Sequence, residues 1–416
     1  MKRTLLTGNG AAAWGARLAA VDYVPAFPIT PQTEIIETLA NWIDVGEMPA
    51  RLVTLESEHS MVTAAGSAAA TGVRVFSATS SQGLLYAMEM LYTVSGWRAP
   101  FVLVNVSRGL SSPITLEPDH NDVLAARDCG FLQIHCASCQ EVLDSTLLAY
   151  RLAEDSRVRL PVIVNLDGFY LSFTREPVQI PDAGMAREFV GAFDAENIHF
   201  RASAPESQAV AVLGGGPYSY FRYETHLAAQ NGLAVYDQVA DEFYQRFGRQ
   251  HDAVEAYRAD GADYLYVMMG SFASKAREAV DRLRDAGWAI GLVRPRLLRP
   301  LPAAKLQQLL CGRKGVAVID QNISMGMGGV LHSELASVLY GATGAPAILA
   351  SFIGGLGGRD ITTEEFFQIA DELKTAVVQG KTPAPRLLYT ETELREVRKL
   401  QAIARAEREE LGGADG

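Results

Sequence analysis

Short apolar runs alternate with segments of helical period through the first 165 residues, and this restricts the chain to a parallel sheet covered by helices on both faces. Residues 23–27, 51–54, 74–79, 101–106, 132–136 and 161–165 read as buried strands. Residues 33–42, 60–71, 83–94, 119–127 and 140–155 read as the helices between them. Periodicity fades across 166–181, where Pro177 and Pro181 mark an exit segment. Alternation resumes at Tyr264, with strands at 264–269, 290–293, 315–320 and 349–352 and helices at 275–286, 303–310 and 328–339. These limits predict one α/β unit over 1–183, a mixed linker over 184–258 that packs on its neighbours, and a second α/β unit over 259–385. Within the linker only 224–229 and 239–247 read as helical, and 386–416 is expected to form a charged helical arm.

The net charge of −11 and the lack of a basic block argue against nucleic acid as a partner. No run reaches the roughly eighteen apolar residues of a membrane span, and the first residues, with Lys2 and Arg3 but no long apolar stretch, predict no signal peptide and a cytoplasmic protein. Four cysteines do not make a disulfide framework. Cys136 and Cys139 form the single C-x-x-C, too few ligands to close a metal site, and read as two buried thiols at a strand end. No metal-ligating set is expected. Cys129 and Cys311 do not complete an iron–sulfur spacing.

Residues with chemistry cluster where the predicted strands end, which in an open parallel sheet is one cleft. After the first strand comes Ala26-Phe27-Pro28-Ile29-Thr30-Pro31-Gln32, in which Thr30 can cap the next helix with Pro31 in its first turn. Such a hydroxyl at a helix start suits a carboxylate, although, taken alone, an ordinary N-cap is the commoner explanation. Glu58 follows the second strand and precedes a helix of small residues, Ala64-Ala65-Gly66-Ser67-Ala68-Ala69-Ala70, that admits a flat ring. A dry carboxyl there would have a raised pKa and could share a proton with a heterocyclic nitrogen; the alternative is a glutamate favoured by the helix dipole. Ser80-Ser81-Gln82-Gly83 follows the third strand, and Arg108 follows the fourth, suited to hold a carboxylate bidentately or to form a structural ion pair. His59 and His120 read as hydrogen-bonded structural histidines. The glycines of Gly8-Asn9-Gly10 and Gly326-Met327-Gly328-Gly329 do not form a dinucleotide fingerprint, and no P-loop or G-x-S-x-G occurs.

Taken together, Phe27-Pro28-Ile29-Thr30-Pro31-Gln32-Thr33, Glu56-Ser57-Glu58-His59, Ala78-Thr79-Ser80-Ser81-Gln82-Gly83-Leu84, Asn105-Val106-Ser107-Arg108, Asn165-Leu166-Asp167-Gly168-Phe169, Leu292-Val293-Arg294-Pro295-Arg296 and Gly354-Gly355-Leu356-Gly357-Gly358-Arg359-Asp360 resemble the α subunit of the 2-oxoacid:ferredoxin (acceptor) oxidoreductases. The likeness runs through nearly the whole chain in order. It implies a pyrimidine-side thiamine-diphosphate domain, a doubly wound parallel sheet, followed by a transketolase C-terminal-like domain. It further implies thiamine diphosphate shared with a β subunit that holds the diphosphate and Mg2+, and γ and ferredoxin-like δ subunits carrying [4Fe-4S] clusters. The implied reaction is the oxidative decarboxylation of a 2-oxoacid with coenzyme A to acyl-CoA and CO2. By the same likeness Glu58 would bind the aminopyrimidine, with Pro28, Ile29, Ser80 and Gln82 around the cofactor, and Thr30 and Arg108 would bind the substrate carboxylate.

Residues 112–120, Ser-Pro-Ile-Thr-Leu-Glu-Pro-Asp-His, depart from the Asn-Ile-Trp-Asn-Asp-like stretch of pyruvate-type chains. That substitution points toward another 2-oxoacid, such as phenylglyoxylate, beside pyruvate. Two other functions are compatible with the fold: a thiamine-diphosphate transketolase or dehydrogenase-type chain without an iron–sulfur partner, and a non-catalytic assembly scaffold. Retention of Thr30, Glu58 and Arg108 together argues against the scaffold.

Overall fold

The computed structural model describes residues 2–193, 202, 203, 205, 207 and 211–412. Two parallel sheets dominate it. The first has the order Leu297–Arg299, Leu132–His135, Val162–Asp167, Val102–Ser107 and Phe76–Thr79. All but the Leu297–Arg299 edge run parallel. Val102–Ser107 and Val162–Asp167 are buried at every position, as central strands with helices on both faces are, and their polar members Asn105, Ser107, Asn165 and Asp167 are hydrogen-bonded. Tyr23–Ala26 pairs in parallel with Arg51–Thr54, and a bridge from Tyr23 to Val75 joins this pair to the sheet. The strands expected in the first α/β unit are therefore all present.

The second sheet runs Arg386–Leu387, Ile348–Ile353, Gly315–Asp320, Tyr264–Val267, Ile290–Pro295 and Val254–Tyr257, with only the last antiparallel to its neighbour. Several elements differ from expectation. The N-terminal residues form a strand, Lys2–Leu6, paired antiparallel with Glu176–Ile180, and a helix, Gly8–Leu18. The helix expected over 83–94 is two, Gln82–Tyr86 and Met88–Gly96. The stretch read as mostly irregular holds one continuous helix, Gly215–Phe247, ending on left-handed Gly248. Its Tyr236, Val239, Ala240, Phe243 and Phe247 pack into the first core, which a short-window reading of its scattered polar residues did not reveal.

The two units share packing. Leu297–Arg299 leaves the second unit to edge the first sheet, and Phe101, Phe131 and Ile163 lie in one buried cluster with Leu265, Val267 and Val293. Charge joins them as well. Arg294, 1% exposed, donates to Glu141 Oε1 at 2.6 Å and Oε2 at 3.1 Å, and to Glu255 at 2.5 Å. Arg296 adds a third bond to Glu141 at 3.1 Å. Burial works against ionisation of Glu141, but Arg294 and Arg296 outweigh it and hold this carboxylate well below its ordinary value of 4.5.

The C-terminal helix Glu391–Gly412 stands off the body, with Leu394, Val397, Leu400 and Ile403 exposed, and is tied at its root by Arg359 to Glu393 at 2.7 Å.

Removing one partner of a buried charge cluster leaves the others uncompensated. Glu141→Ala should lower unfolding free energy by about 3 kcal/mol or more, read by denaturant unfolding at neutral pH. Because the folded-state pKa of Glu141 is depressed, its stabilisation is present above pH 4.5 and is lost as pH falls below it. The gap between wild type and variant should therefore narrow in acid; a gap constant down to pH 3 would contradict the assignment.

Candidate active site

Ser57 opens the helix Glu58–Ala70 by accepting the Ser60 amide at 3.2 Å, which sets Glu58 at the first helical position, just past the strand Arg51–Thr54. Glu58 is 5% exposed, and among the described residues no other side chain donates to its carboxylate. Burial raises its pKa above 4.5, with only its own backbone opposing. Gly83 presses against it: a Cβ there would lie 2.4 Å from Glu58 Oε1 and 2.7 Å from Thr79 Oγ1. Only glycine leaves that space open. Thr79 Oγ1 is itself buried without a partner.

On the neighbouring loop Arg108 ends the strand Val102–Ser107. It is 7% exposed and donates to the Thr30 carbonyl at 2.7 Å and Gln82 Oε1 at 2.5 Å. Both acceptors are neutral, among the described residues no carboxylate lies within ion-pair distance, and Nε is buried without a partner. Burial depresses its pKa, partly offset by the field of Asp122. The structural ion pair that the sequence left open is absent, so the guanidinium keeps capacity for an anion.

Gln82 and Gly83 are chain neighbours, one reaching Arg108 and the other abutting Glu58, so the carboxyl and the guanidinium flank the start of one short helix, Gln82–Tyr86. Ser80 is spent on structure, its hydroxyl donating to the Val106 carbonyl at 2.7 Å. The Phe27–Gln32 stretch lies at the same sheet end, with Pro28 and Thr30 exposed and Ile29 half-buried. Thr30 does not cap the following helix. That helix starts at Thr33 with Gln32 at its N-cap, while Gln32 turns back to the Phe27 carbonyl at 2.9 Å. Thr30 instead contributes its carbonyl to Arg108, leaving its side chain exposed to bind.

Residues missed from sequence hold this frame. Asp122, fully buried, accepts from the Ser81 and Arg108 amides, and Asp167 bridges the two units. Asp167 Oδ1 meets His120 Nε2 at 2.7 Å, and Oδ2 accepts from the Ser271 amide at 2.8 Å and hydroxyl at 2.5 Å. His120 thus has the structural role expected of it, and half-buried His59 pairs with Glu89 at 3.5 Å. Cys136 and Cys139 are buried thiols, and burial pushes Cys136 up to about 12. Among the described residues no cluster of three or more His, Cys, Asp or Glu could hold a metal ion.

Within the glycine clusters, Gly8 and Gly329 are required by close packing, whereas Gly326 and Gly328 stand at φ 83° and 111° with open space around them. A Cβ on Gly8 would meet the Leu171 carbonyl at 2.7 Å, and one on Gly329 would meet Asp320.

Comparison with known proteins gives the same picture. The pyruvate flavodoxin/ferredoxin oxidoreductase thiamine-diphosphate-binding domain matches residues 14–241, and the pyruvate:ferredoxin oxidoreductase core domain II matches residues 262–366. The chain is 37% identical to pyruvate synthase subunit PorA of Pyrococcus abyssi over 92% of its length and 96% of that protein's. It is 41% identical to PorA of Methanocaldococcus jannaschii over 89% and 95%, and 38% identical to ketoisovalerate oxidoreductase subunit VorA of Pyrococcus horikoshii over 91% and 95%. In fold it is similar to the 2-oxoglutarate:ferredoxin oxidoreductase of Magnetococcus marinus, at a TM-score of 0.67 and 21% identity, covering 90% of this chain and 65% of that longer one. A split-gene transketolase matches at a TM-score of 0.50 and 12% identity, over 87% of this chain and 97% of the other. The chain belongs to the 2-oxoacid:ferredoxin oxidoreductases, as an α subunit carrying their thiamine-diphosphate-binding domain.

Proposed function

We propose that this chain supplies the cofactor-activating and carboxylate-binding half of an active site that converts a 2-oxoacid and coenzyme A to acyl-CoA and CO2. The observation that carries this is the pairing of Glu58, a buried carboxyl with no side-chain partner, with Arg108, a buried guanidinium with no carboxylate. Neither improves the stability of the isolated chain, since desolvated groups without counterparts are costly. A bound organic cation-bearing ring and a substrate anion would supply what each lacks.

The residues present fit thiamine diphosphate on two counts. Gly83 opens the space beside Glu58 that any side chain would fill, and Thr79 Oγ1 is orphaned next to it. When bound, the cofactor supplies the electron sink for decarboxylation. Glu58 would hold a proton between its carboxylate oxygen and a ring nitrogen of the aminopyrimidine, a task matched to its raised pKa. Pro28, Ile29, Ser80 and Gln82 would form the surrounding wall. Arg108 would orient the 2-oxoacid carboxylate, aided by the exposed Thr30 hydroxyl.

The diphosphate and its Mg2+ are assigned to a β subunit. Tyr86, Ile114 and Leu116, exposed on the segments that follow Gln82 and Arg108, offer an apolar rim for that subunit. Electrons would pass singly to [4Fe-4S] clusters of γ and ferredoxin-like δ subunits. The domain limits 1–183 and 259–385, with 184–258 as packing segment and 386–416 as arm, complete this proposal. Pyruvate is the substrate favoured by the PorA relatives, with phenylglyoxylate retained on the altered 112–120 stretch.

Three experiments on the assembled complex test this reading. A panel of pyruvate, 3-methyl-2-oxobutanoate, 2-oxoglutarate and phenylglyoxylate, assayed with coenzyme A and a viologen dye, should show CoA-dependent reduction with at least one acid; none active would refute the reaction. Glu58→Ala should reduce turnover about 10²- to 10⁴-fold while subunits still co-purify, and wild-type turnover in that variant would remove its role. Arg108→Ala should raise KM for the preferred acid by about tenfold to a hundredfold; an unchanged KM would show that the carboxylate binds elsewhere.

A further inference from the structure

Asp122 is fully buried beside this site and bonds the main chain of Arg108 rather than its guanidinium. It lies in the short helix Asn121–Ala125, and its two oxygens receive five hydrogen bonds. Oδ1 accepts from the Ser107 hydroxyl at 2.8 Å and the Val123 amide at 2.7 Å. Oδ2 accepts from the Ser81 amide at 3.0 Å, Asn105 Nδ2 at 3.1 Å and the Arg108 amide at 3.3 Å. No arginine, lysine or histidine among the described residues forms an ion pair with it, so amide, hydroxyl and carboxamide dipoles carry its desolvation.

The two main-chain donors on Oδ2 come from different loops. Ser81 precedes Gln82, and Arg108 carries the guanidinium that Gln82 Oε1 meets. Ser81 also stands at φ 51°, ψ −122°, a conformation that a residue with a side chain keeps only where neighbours impose it. We infer that Asp122 is the positioning residue of the carboxylate-binding site: one carboxylate oxygen pins the Ser81 and Arg108 backbones together, so that Gln82 and Arg108 meet in the geometry that receives the substrate. The inference rests on the reading of Arg108 as the carboxylate binder.

An asparagine has nearly the same shape but one acceptor atom instead of two. Turned one way, its NH2 group faces the Ser81 and Arg108 amides and the pin is lost; turned the other way, the NH2 meets the Val123 amide donor, which repels it and displaces the oxygen that the Ser81 and Arg108 amides share. The effect should fall on Arg108 and spare Glu58, which sits on another helix.

In the assembled complex with the preferred acid, Asp122→Asn should raise KM about tenfold or more, with thiamine-diphosphate content within twofold of wild type. In an Arg108→Ala background the same substitution should change KM less than twofold, because a residue that acts only through Arg108 has nothing left to position. Equal and additive KM effects in both backgrounds, or a fall in cofactor content matching the loss of activity, would overturn the inference. Should Asp122→Asn not assemble, Ser107→Ala removes one bond to the carboxylate and should raise KM severalfold, again only when Arg108 is present; a wild-type KM there would overturn it too. An Arg108→Ala enzyme with unchanged KM would instead refute the underlying reading of Arg108.

Discussion

The arrangement of the site depends on the Asp167 carboxylate, buried between two sheets. One oxygen receives His120 from the loop that follows Arg108, and the other receives the Ser271 amide and hydroxyl from the start of the second unit's first helix region. In an open α/β sheet the crevice beyond the carboxyl ends of adjacent strands is where a ligand ordinarily sits. In the second sheet that crevice lies between Val267 and Asp320, and the chain fills it itself. His120 donates its amide to the Gln321 carbonyl at 2.8 Å, and a Cβ on Gly270 would strike the His120 ring at 2.8 Å. The second unit therefore acts as the wall against which the 108–122 segment is set, and the residues of the candidate site gather at the first sheet.

That wall clarifies the electrostatics. Charges that bind the two units together are matched: Arg294 and Arg296 with Glu141 and Glu255, and His120 with Asp167. Burial depresses the basicity of His120, but Asp167 outweighs it and raises its pKa, while neighbouring His135, buried beside that charge, is pushed down to about 3. Glu58 and Arg108 differ from these: each is buried, yet among the described residues neither forms an ion pair. Buried Asp122 also lacks an ionic partner, but five hydrogen bonds satisfy its oxygens, whereas no other side chain donates to Glu58, and that contrast separates a candidate binding site from a structural network better than a shifted pKa alone.

The parallel-sheet organisation, the strand ends that carry Thr30, Glu58, Gln82 and Arg108, and the family itself were legible because each depends on local pattern: apolar runs, small-residue helices and contiguous motifs. Other features were not. Whether Arg108 has an acid partner depends on residues that meet it only in three dimensions. Asp122 lies fourteen positions beyond Arg108 and reads as an ordinary helix-entry aspartate. Thr30 looked like a cap because Thr-Pro at a strand end satisfies the local rule, yet Arg108 takes its carbonyl and the helix begins three residues later. The long helix Gly215–Phe247 was read as broken because it buries residues of a distant core on one face and carries exposed Tyr218, Tyr220, Phe221 and Tyr223 elsewhere, which blurs its period.

The stretch that departs from pyruvate-type chains, residues 112–120, is held from both ends. At its far end His120 is locked to Asp167, and in between the Gly358 amide donates to the Pro118 carbonyl at 2.8 Å. Gly358 stands at φ 73°, and a Cβ there would meet Glu117 at 2.6 Å, so glycine at 358 is required by both conformation and space. At the near end the Gly109 amide donates to the Glu117 carbonyl at 3.0 Å, closing the loop on itself. Anchors made through the main chain and through buried His120 leave the exposed side chains between them, Ile114 and Leu116 among them, free to differ without displacing Arg108. Under the proposed role of Arg108, the group that binds the carboxylate would stay fixed while the neighbouring loop changed its contacts with the rest of the acid, and discrimination of a few kcal/mol needs no more than such changes.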